Sequence, residues 1–536
     1  MNTVEKWGLF EVSLKGPSAG NPFTEQSVSA TFRSKNEIVT VDGFYDGDGV
    51  YKVRFMPSFT GDYVYETVGS FPEAESAGDF TVTEPTGNNH GPVRIANTYH
   101  FAYEDTTPYY SVGTTCYAWA HQPEEVHKQT LEELDKGYFN KMRFCVFPKH
   151  YIHNFRDPET FPYEGTPVDN SNLTEENFSY FVDFSGNNWD FTRFNPEHFR
   201  RMERCIVELQ ERGIEADIIV MHPYDRWGFS VMNREQDDLY WNYVIARFSA
   251  YRNVWWSLAN EYDLMAYSRE DWAEFGRFIA RNDHAHHLLS NHNCFDYYDF
   301  TLPEVTHCSI QDINMNEVPE LRARYGKPVV FDEICYEGNL DAGWGNISAI
   351  ELTHRFWTAV VCGGYCTHGE TFVDPNDILW WAKGGILKGE SPERIAFLRG
   401  IIESLPSPLD YRHPSRMEWI SKERVLELKK NGVPQDMKYD FWANGLSSLP
   451  EDRIQPFILK SRGTTGVCRG GAAAIWYYGR TCPAFNYITM PGEGSYNIDI
   501  IDIWEMTRTP AAKGVSGTVK VNLPGKEGIA VLAARC

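Results

Sequence analysis

Val254-Trp255-Trp256-Ser257-Leu258-Ala259-Asn260-Glu261-Tyr262 is an apolar run that stops abruptly on an Asn-Glu pair. Side chains alternate along an extended strand, so Trp255, Ser257, Ala259 and Glu261 would share one face. Lys327-Pro328-Val329-Val330-Phe331-Asp332-Glu333-Ile334-Cys335-Tyr336-Glu337 repeats the design, a carboxylate following directly on apolar residues. A parallel barrel carries its reactive groups at that carboxyl end of its strands. The same alternation turns Asp332 away from Glu333, towards the helices, as a structural residue. Glu337 lies beyond the strand and its role is open.

Working outward, eight strand candidates alternate with helical patterns. The strands are Tyr109–Thr114, Lys141–Phe147, Ala216–Met221, Val254–Leu258, His287–His292, His307–Gln311, Pro328–Phe331 and Val360–Cys366. Asn195-Pro196-Glu197 opens one helix with a cap and a proline at the first helical position, running to about Gln210. Others span Arg234–Tyr251, Ser268–Ala280, Ile347–Ala359 and Ser391–Ser404. Eight β-then-α units between residues 93 and 405 predict a closed (β/α)8 barrel. A doubly wound open sheet is the rival, but no GxGxxG opens the first helix. Two connections, Tyr151–Phe194 and Thr371–Gly389 with Trp380-Trp381, are long enough to shape a cleft.

The flanks read differently. Residues 1–92 hold short strand runs: Leu9–Leu14, Val28–Phe32, Ile38–Val41, Val50–Phe55, Tyr63–Thr67 and Asp79–Val82. Asp46-Gly47-Asp48-Gly49 makes a tight turn, and Glu84 to Pro92 forms a linker. An immunoglobulin-like β-sandwich is expected there. Residues 406–536 return to strands, Ala472–Tyr478, Tyr496–Trp504 and Thr518–Leu523, and predict a smaller C-terminal β-domain.

Composition excludes several classes. The 536 residues carry a formal net charge of -24 with no basic tract, which argues against nucleic acid or anionic membrane as partner. Aromatic residues reach 15%, a surplus suited to stacking on sugar rings. Met1 to Leu14 lacks the pattern of a secretory leader, and the 11 cysteines are scattered without a CxxC. A reducing, cytoplasmic compartment is expected. Nothing calls for a cofactor or a metal, a carbohydrate is the expected partner, and a homo-oligomer is left open.

Glycoside cleavage needs one carboxylic acid to protonate the leaving oxygen and one carboxylate to attack the anomeric carbon. A lone Glu at a strand end is as often a cap or a surface charge. Asn-Glu after the fourth strand with Glu after the seventh is more specific, and resembles clan A of the retaining glycoside hydrolases. Pro108-Tyr109-Tyr110-Ser111-Val112-Gly113-Thr114-Thr115-Cys116-Tyr117-Ala118-Trp119 and Glu333-Ile334-Cys335-Tyr336-Glu337 look like motifs of the apiosidase-like glycosidases within it. The likeness implies Glu261 as general acid/base, Glu333 as nucleophile, Asn260 on the substrate 2-hydroxyl and Arg143 hydrogen-bonded to the nucleophile. Apiosidase-like enzymes tend to carry Asp after the fourth strand, so Asn260-Glu261 favours the general mechanism over apiose itself. Further rim candidates for sugar hydroxyls are His222, His292, Asn293, Tyr117, Trp119, His368, Glu370 and Trp380. Cleavage of oligosaccharides or small glycosides, exo-acting, is the expected function. The alternatives are a metal-dependent hydrolase using His222, His292, His307 and Asp312, although the His-x-His expected after the first strand is missing, or a binding protein that has lost catalysis.

Overall fold

The computed structural model of the chain describes residues 2–374, 378–412, 422–461 and 464–536. They divide into two compact units, one of residues 1–312, 325–349 and 366–392, the other of 313–324, 350–365 and 393–536.

The first unit opens with two sheets on one core. A five-stranded sheet contains Val28–Arg33, Gly61–Gly69 and Ser76–Thr83, and a three-stranded sheet contains Phe10–Lys15 and Val50–Phe55. Phe10, Phe32, Phe55, Tyr63 and Phe80 from both are buried in one cluster, as a sandwich requires. Arg54 of the sandwich reaches Glu203 at 2.6 Å, and Arg247 meets the same carboxylate at 2.6 Å.

Eight strands form the central sheet: β1 Val112–Thr115, β2 Lys141–Cys145, β3 Glu215–Met221, β4 Val254–Ala259, β5 Leu289–Ser290, β6 Cys308–Gln311, β7 Val329–Glu333 and β8 Tyr365–His368. Their order is β5-β4-β3-β2-β1-β8-β7-β6, and a parallel bridge between His292 and Ser309 joins the two ends into a barrel. Helices Glu124–Leu134, Pro196–Glu211, Arg234–Phe248, Arg269–Asn282, Val318–Tyr325, Ala349–Val361 and Ser391–Glu403 follow the strands in the chain. Among the described residues no helix follows β5. The eighth strand is shorter than the sequence suggests, because Val360-Val361 closes the preceding helix. Apolar runs alone do not separate the end of a buried helix from the start of a buried strand.

The barrel interior is charged beneath the carboxyl ends of its strands. The Lys141 ammonium lies 2.8 Å from Asp217 and 2.6 Å from Asp332, with all three side chains buried. Asp332 also accepts from Ser309 and Thr367, each at 2.6 Å. This corrects the expectation that Asp332 faces the helices. Pairing between β6 and β7 slips after Ile310 and Phe331, so Gln311 stands beside Glu333 and Asp332 is the extra residue. Such a bulge re-aims side chains and turns both neighbouring carboxylates inward.

The second unit contains a six-stranded sheet including Ala473–Tyr477, Tyr496–Asp502 and Ile529–Arg535, with a two-stranded sheet of Phe485–Thr489 and Thr518–Asn522. Three helices that the all-β reading did not anticipate, Lys422–Asn431, Phe441–Ser448 and Glu451–Ser461, pack around Val425, Leu446 and Ile454.

Candidate active site

Glu333 ends β7 partly exposed, and the Tyr117 hydroxyl donates to its Oε1. Asn260 Oδ1 stands 3.0 Å from the same hydroxyl, which brings the ends of β1, β4 and β7 together. Burial, and then the neighbouring Glu333 charge, push the Tyr117 phenol well above its usual range, so it stays a donor. Tyr336 is buried against the same carboxylate.

Glu261 lies two residues past the end of β4 in a left-handed conformation, φ 54°. A non-glycine residue held there costs about 1–2 kcal/mol, which the surroundings must offset. The turn re-aims Glu261, so its direction is set by the loop and not by the strand alternation read from sequence. Tyr224 donates to its Oε2, Asn260 Nδ2 stands 3.4 Å from the same oxygen, and the Glu261 backbone N–H donates to His292 Nδ1 at 3.4 Å. Burial, reinforced by the Glu333 charge, pushes the Glu261 carboxyl up to about 7.

Gln311 connects the pair. With its amide turned so that the NH2 group meets acceptors, it donates to Glu333 Oε2 and Glu261 Oε1, both at 3.2 Å. Asn293 holds Gln311 in place, giving its Nδ2 to the Gln311 carbonyl at 3.3 Å and accepting the Gln311 N–H at 3.2 Å. Aromatic rings complete the wall: Trp381 lies against Tyr117, Tyr151, Tyr336 and Trp344.

Several predicted rim residues do not reach the two carboxylates. Trp119 is buried, stacked on His127, and Trp380 is buried with its indole N–H on Thr114 Oγ1 at 2.8 Å. His222 bonds the Phe147 carbonyl at 3.2 Å and His368 bonds Thr114 Oγ1 at 3.0 Å; burial lowers both imidazoles to about 3. His292 supports the Glu261 backbone from a fully buried position. Glu370 accepts the N–H groups of Lys388 and Gly389, while Glu337 accepts those of Glu390 and Ser391. The two glutamates strap down the end of the long connection that carries Trp381, which answers the open role of Glu337. Arg143 is corrected too: its guanidinium stands 3.6 Å from Asp217 and 3.9 Å from Asp332, in the charged layer. Tyr224, Gln311, Tyr336, Lys149 and Trp381 were missed as site residues. The Tyr224 and Trp381 positions were within reach, since Trp381 adjoins Trp380 and Tyr224 lies two residues past His222. Among the described residues no three His, Cys, Asp or Glu side chains gather as a metal site would require.

A closed parallel barrel with two glutamates meeting at the carboxyl ends of β4 and β7 defines a barrel glycoside hydrolase. The model of the apiosidase-like catalytic domain matches residues 96–389, and the chain belongs to that family. Domains of unknown function match on either side, DUF5060 over residues 3–70 and DUF5605 over 464–533. A Bacteroides vulgatus ATCC 8482 protein of known structure, provisionally assigned to the glycoside hydrolases, is 34% identical over 100% of both chains with a TM-score of 0.83. A glycoside hydrolase family 5 protein of the same organism shares the fold at 13% identity and TM-score 0.57, covering 83% of this chain and 94% of its own. No curated protein matches.

Proposed function

We propose that the chain hydrolyses O-glycosidic bonds in oligosaccharides or small glycosides with retention of anomeric configuration, Glu261 acting as general acid/base and Glu333 as nucleophile. The observation that carries this reading is the shared Gln311 amide. Both carboxylates lie 3.2 Å from one nitrogen, which caps the distance between their facing oxygens at twice that and supports the closer of the two known spacings. A retaining pair stands about 5–5.5 Å apart, whereas an inverting pair needs about 6.5–9.5 Å to admit a water. Burial suits Glu261 to arrive protonated, and Glu333, open to the cleft, is presented for attack. In the first step Glu333 bonds to the anomeric carbon while Glu261 gives its proton to the departing oxygen. In the second, Glu261 takes a proton from water, which displaces Glu333.

Proton NMR in the first minutes of hydrolysis tests this directly. The first product should keep the substrate's anomeric configuration, and an inverted product would sink the reading. The pH profile is a second check. On substrates with poor leaving groups, kcat/KM should fall about tenfold per unit as pH rises above about 7, because the acid form of Glu261 is lost. With a dinitrophenolate leaving group, which departs unprotonated, that fall should vanish.

Finer features follow the same reading. The connection after β2 folds into a hairpin of Tyr163–Thr166 with Asn188–Phe194, and its Tyr180 ring comes within 6.2 Å of Tyr224, which supports a cleft closed at one end and exo action. Eleven free cysteines support a reducing, cytoplasmic compartment. The three family matches support domains of 1–92, 93–405 and 406–536.

A further inference from the structure

Lys149 follows β2 and is only 2% exposed. Among the described residues its ammonium has no carboxylate or carbonyl partner. Four rings stand around it instead, Tyr117 at 3.6 Å, Tyr224 at 4.3 Å, and Tyr151 and Trp381 both at 5.3 Å. Attraction to ring faces offsets only part of the hydration a buried ammonium gives up. The two nearest rings are the same tyrosines that donate to Glu333 and Glu261. Lys149 therefore sits in the wall of the position that the glycone must occupy between those carboxylates. Both glutamates act on it through space without pairing with it, and both are already committed to tyrosine and Gln311 donors.

An anion in direct contact is the partner this ammonium lacks, and none of the described residues supplies one. We propose that Lys149 binds the carboxylate of a uronic acid in the glycone position, so that the enzyme is a uronidase. The proposal rests on the reading of Glu261 and Glu333 given above and adds the substrate class. A hydroxyl would also accept from Lys149, but only an ionised acceptor neutralises the buried charge while it accepts. At a net charge of -24 the protein repels acidic sugars at long range, so selecting one requires a cation placed at the point of contact.

Calorimetric titration of the wild-type protein with glucuronate and galacturonate, against glucose and galactose, tests the proposal. Each acid should bind about tenfold or more tighter than its neutral parent, as a charged hydrogen bond provides. Lys149→Met should erase that difference, and Lys149→Arg should keep part of it. Neutral parents binding as well as the acids, acids failing to bind, or a preference that survives Lys149→Met would overturn the proposal. Should Lys149→Met not fold, the wild-type comparison of acid with neutral parent decides alone. Hydrolysis of neutral aryl glycosides that Glu333→Ala abolishes, without any preference for uronides, would leave the glycosidase reading standing and remove this one.

Discussion

Glu333→Ala should lose roughly 10⁴-fold or more of kcat on every glycoside the enzyme cleaves, whatever the leaving group, because the proposed nucleophile is gone. Glu261→Ala should lose roughly 10²- to 10⁴-fold on poor leaving groups and much less on dinitrophenyl glycosides. Azide separates the two variants by stereochemistry. In Glu261→Ala the intermediate still forms, and azide, needing no general base, should accelerate turnover and yield a glycosyl azide of retained configuration. In Glu333→Ala azide attacks the substrate itself and should yield the inverted azide. Product analysis by NMR reads both, and an exchange of these behaviours between the two variants would reverse the assignment. Tyr117 complicates interpretation in a useful way. Its hydroxyl donates to Glu333 and touches Asn260, so Tyr117→Phe should slow turnover without changing the product anomer.

The barrel was legible because its strands are buried on both faces and interrupt a helical period that recurs through the middle of the chain. Carboxylates at the ends of β4 and β7 were legible for the same reason: a charge directly after an apolar run is conspicuous. What strand alternation could not supply was direction at those ends. Glu261 adopts a left-handed backbone and Asp332 sits in a bulge, so a strict period of two misplaced Asp332 and gave the wrong reason for Glu261. Both departures fall where the chain leaves regular structure at the proposed site, and local rules are expected to fail at such places.

The rim was harder to read for a different reason. Histidine, tryptophan and glutamate serve equally as sugar ligands and as satisfied buried groups, and composition does not tell the two apart. His368 and Trp380 both bond Thr114, and Glu370 closes on backbone N–H groups around Gly389, where a Cβ would stand 2.6 Å from its Oε2. Lys149 and Gln311 were not singled out because the groups they face come from segments far apart in sequence. The helices between residues 422 and 461 were missed because strand runs on both sides of them set the expectation for the whole segment.

The charged layer beneath the site should be the costliest place to disturb the fold. Lys141 bridges Asp217 on β3 and Asp332 on β7, across the barrel interior, with its own side chain fully buried. Lys141→Met preserves the length of the side chain but leaves the two buried aspartates with Arg143 as their remaining cation, at the longer distances of 3.6 and 3.9 Å, and Asp332 with its neutral donors Ser309 and Thr367. Removing one partner from a buried ion pair typically costs about 3–5 kcal/mol, since the remaining charge loses its compensation without regaining water. Urea unfolding followed by tryptophan fluorescence should register a loss of that size. The loss should depend on pH with a definite sign. Lys141 and then Arg143 outweigh burial to hold the Asp332 carboxyl far below its usual range, so its stabilisation is complete above the unfolded value of about 3.9 and fades as pH falls below it. The gap in stability between wild type and Lys141→Met should therefore narrow in acid. Because Asp332 is the bulge residue directly before Glu333, the variant should also lower kcat at neutral pH while still folded. A variant as stable and as active as the wild type would show that the barrel does not depend on this layer, neither for its fold nor for the direction of Glu333.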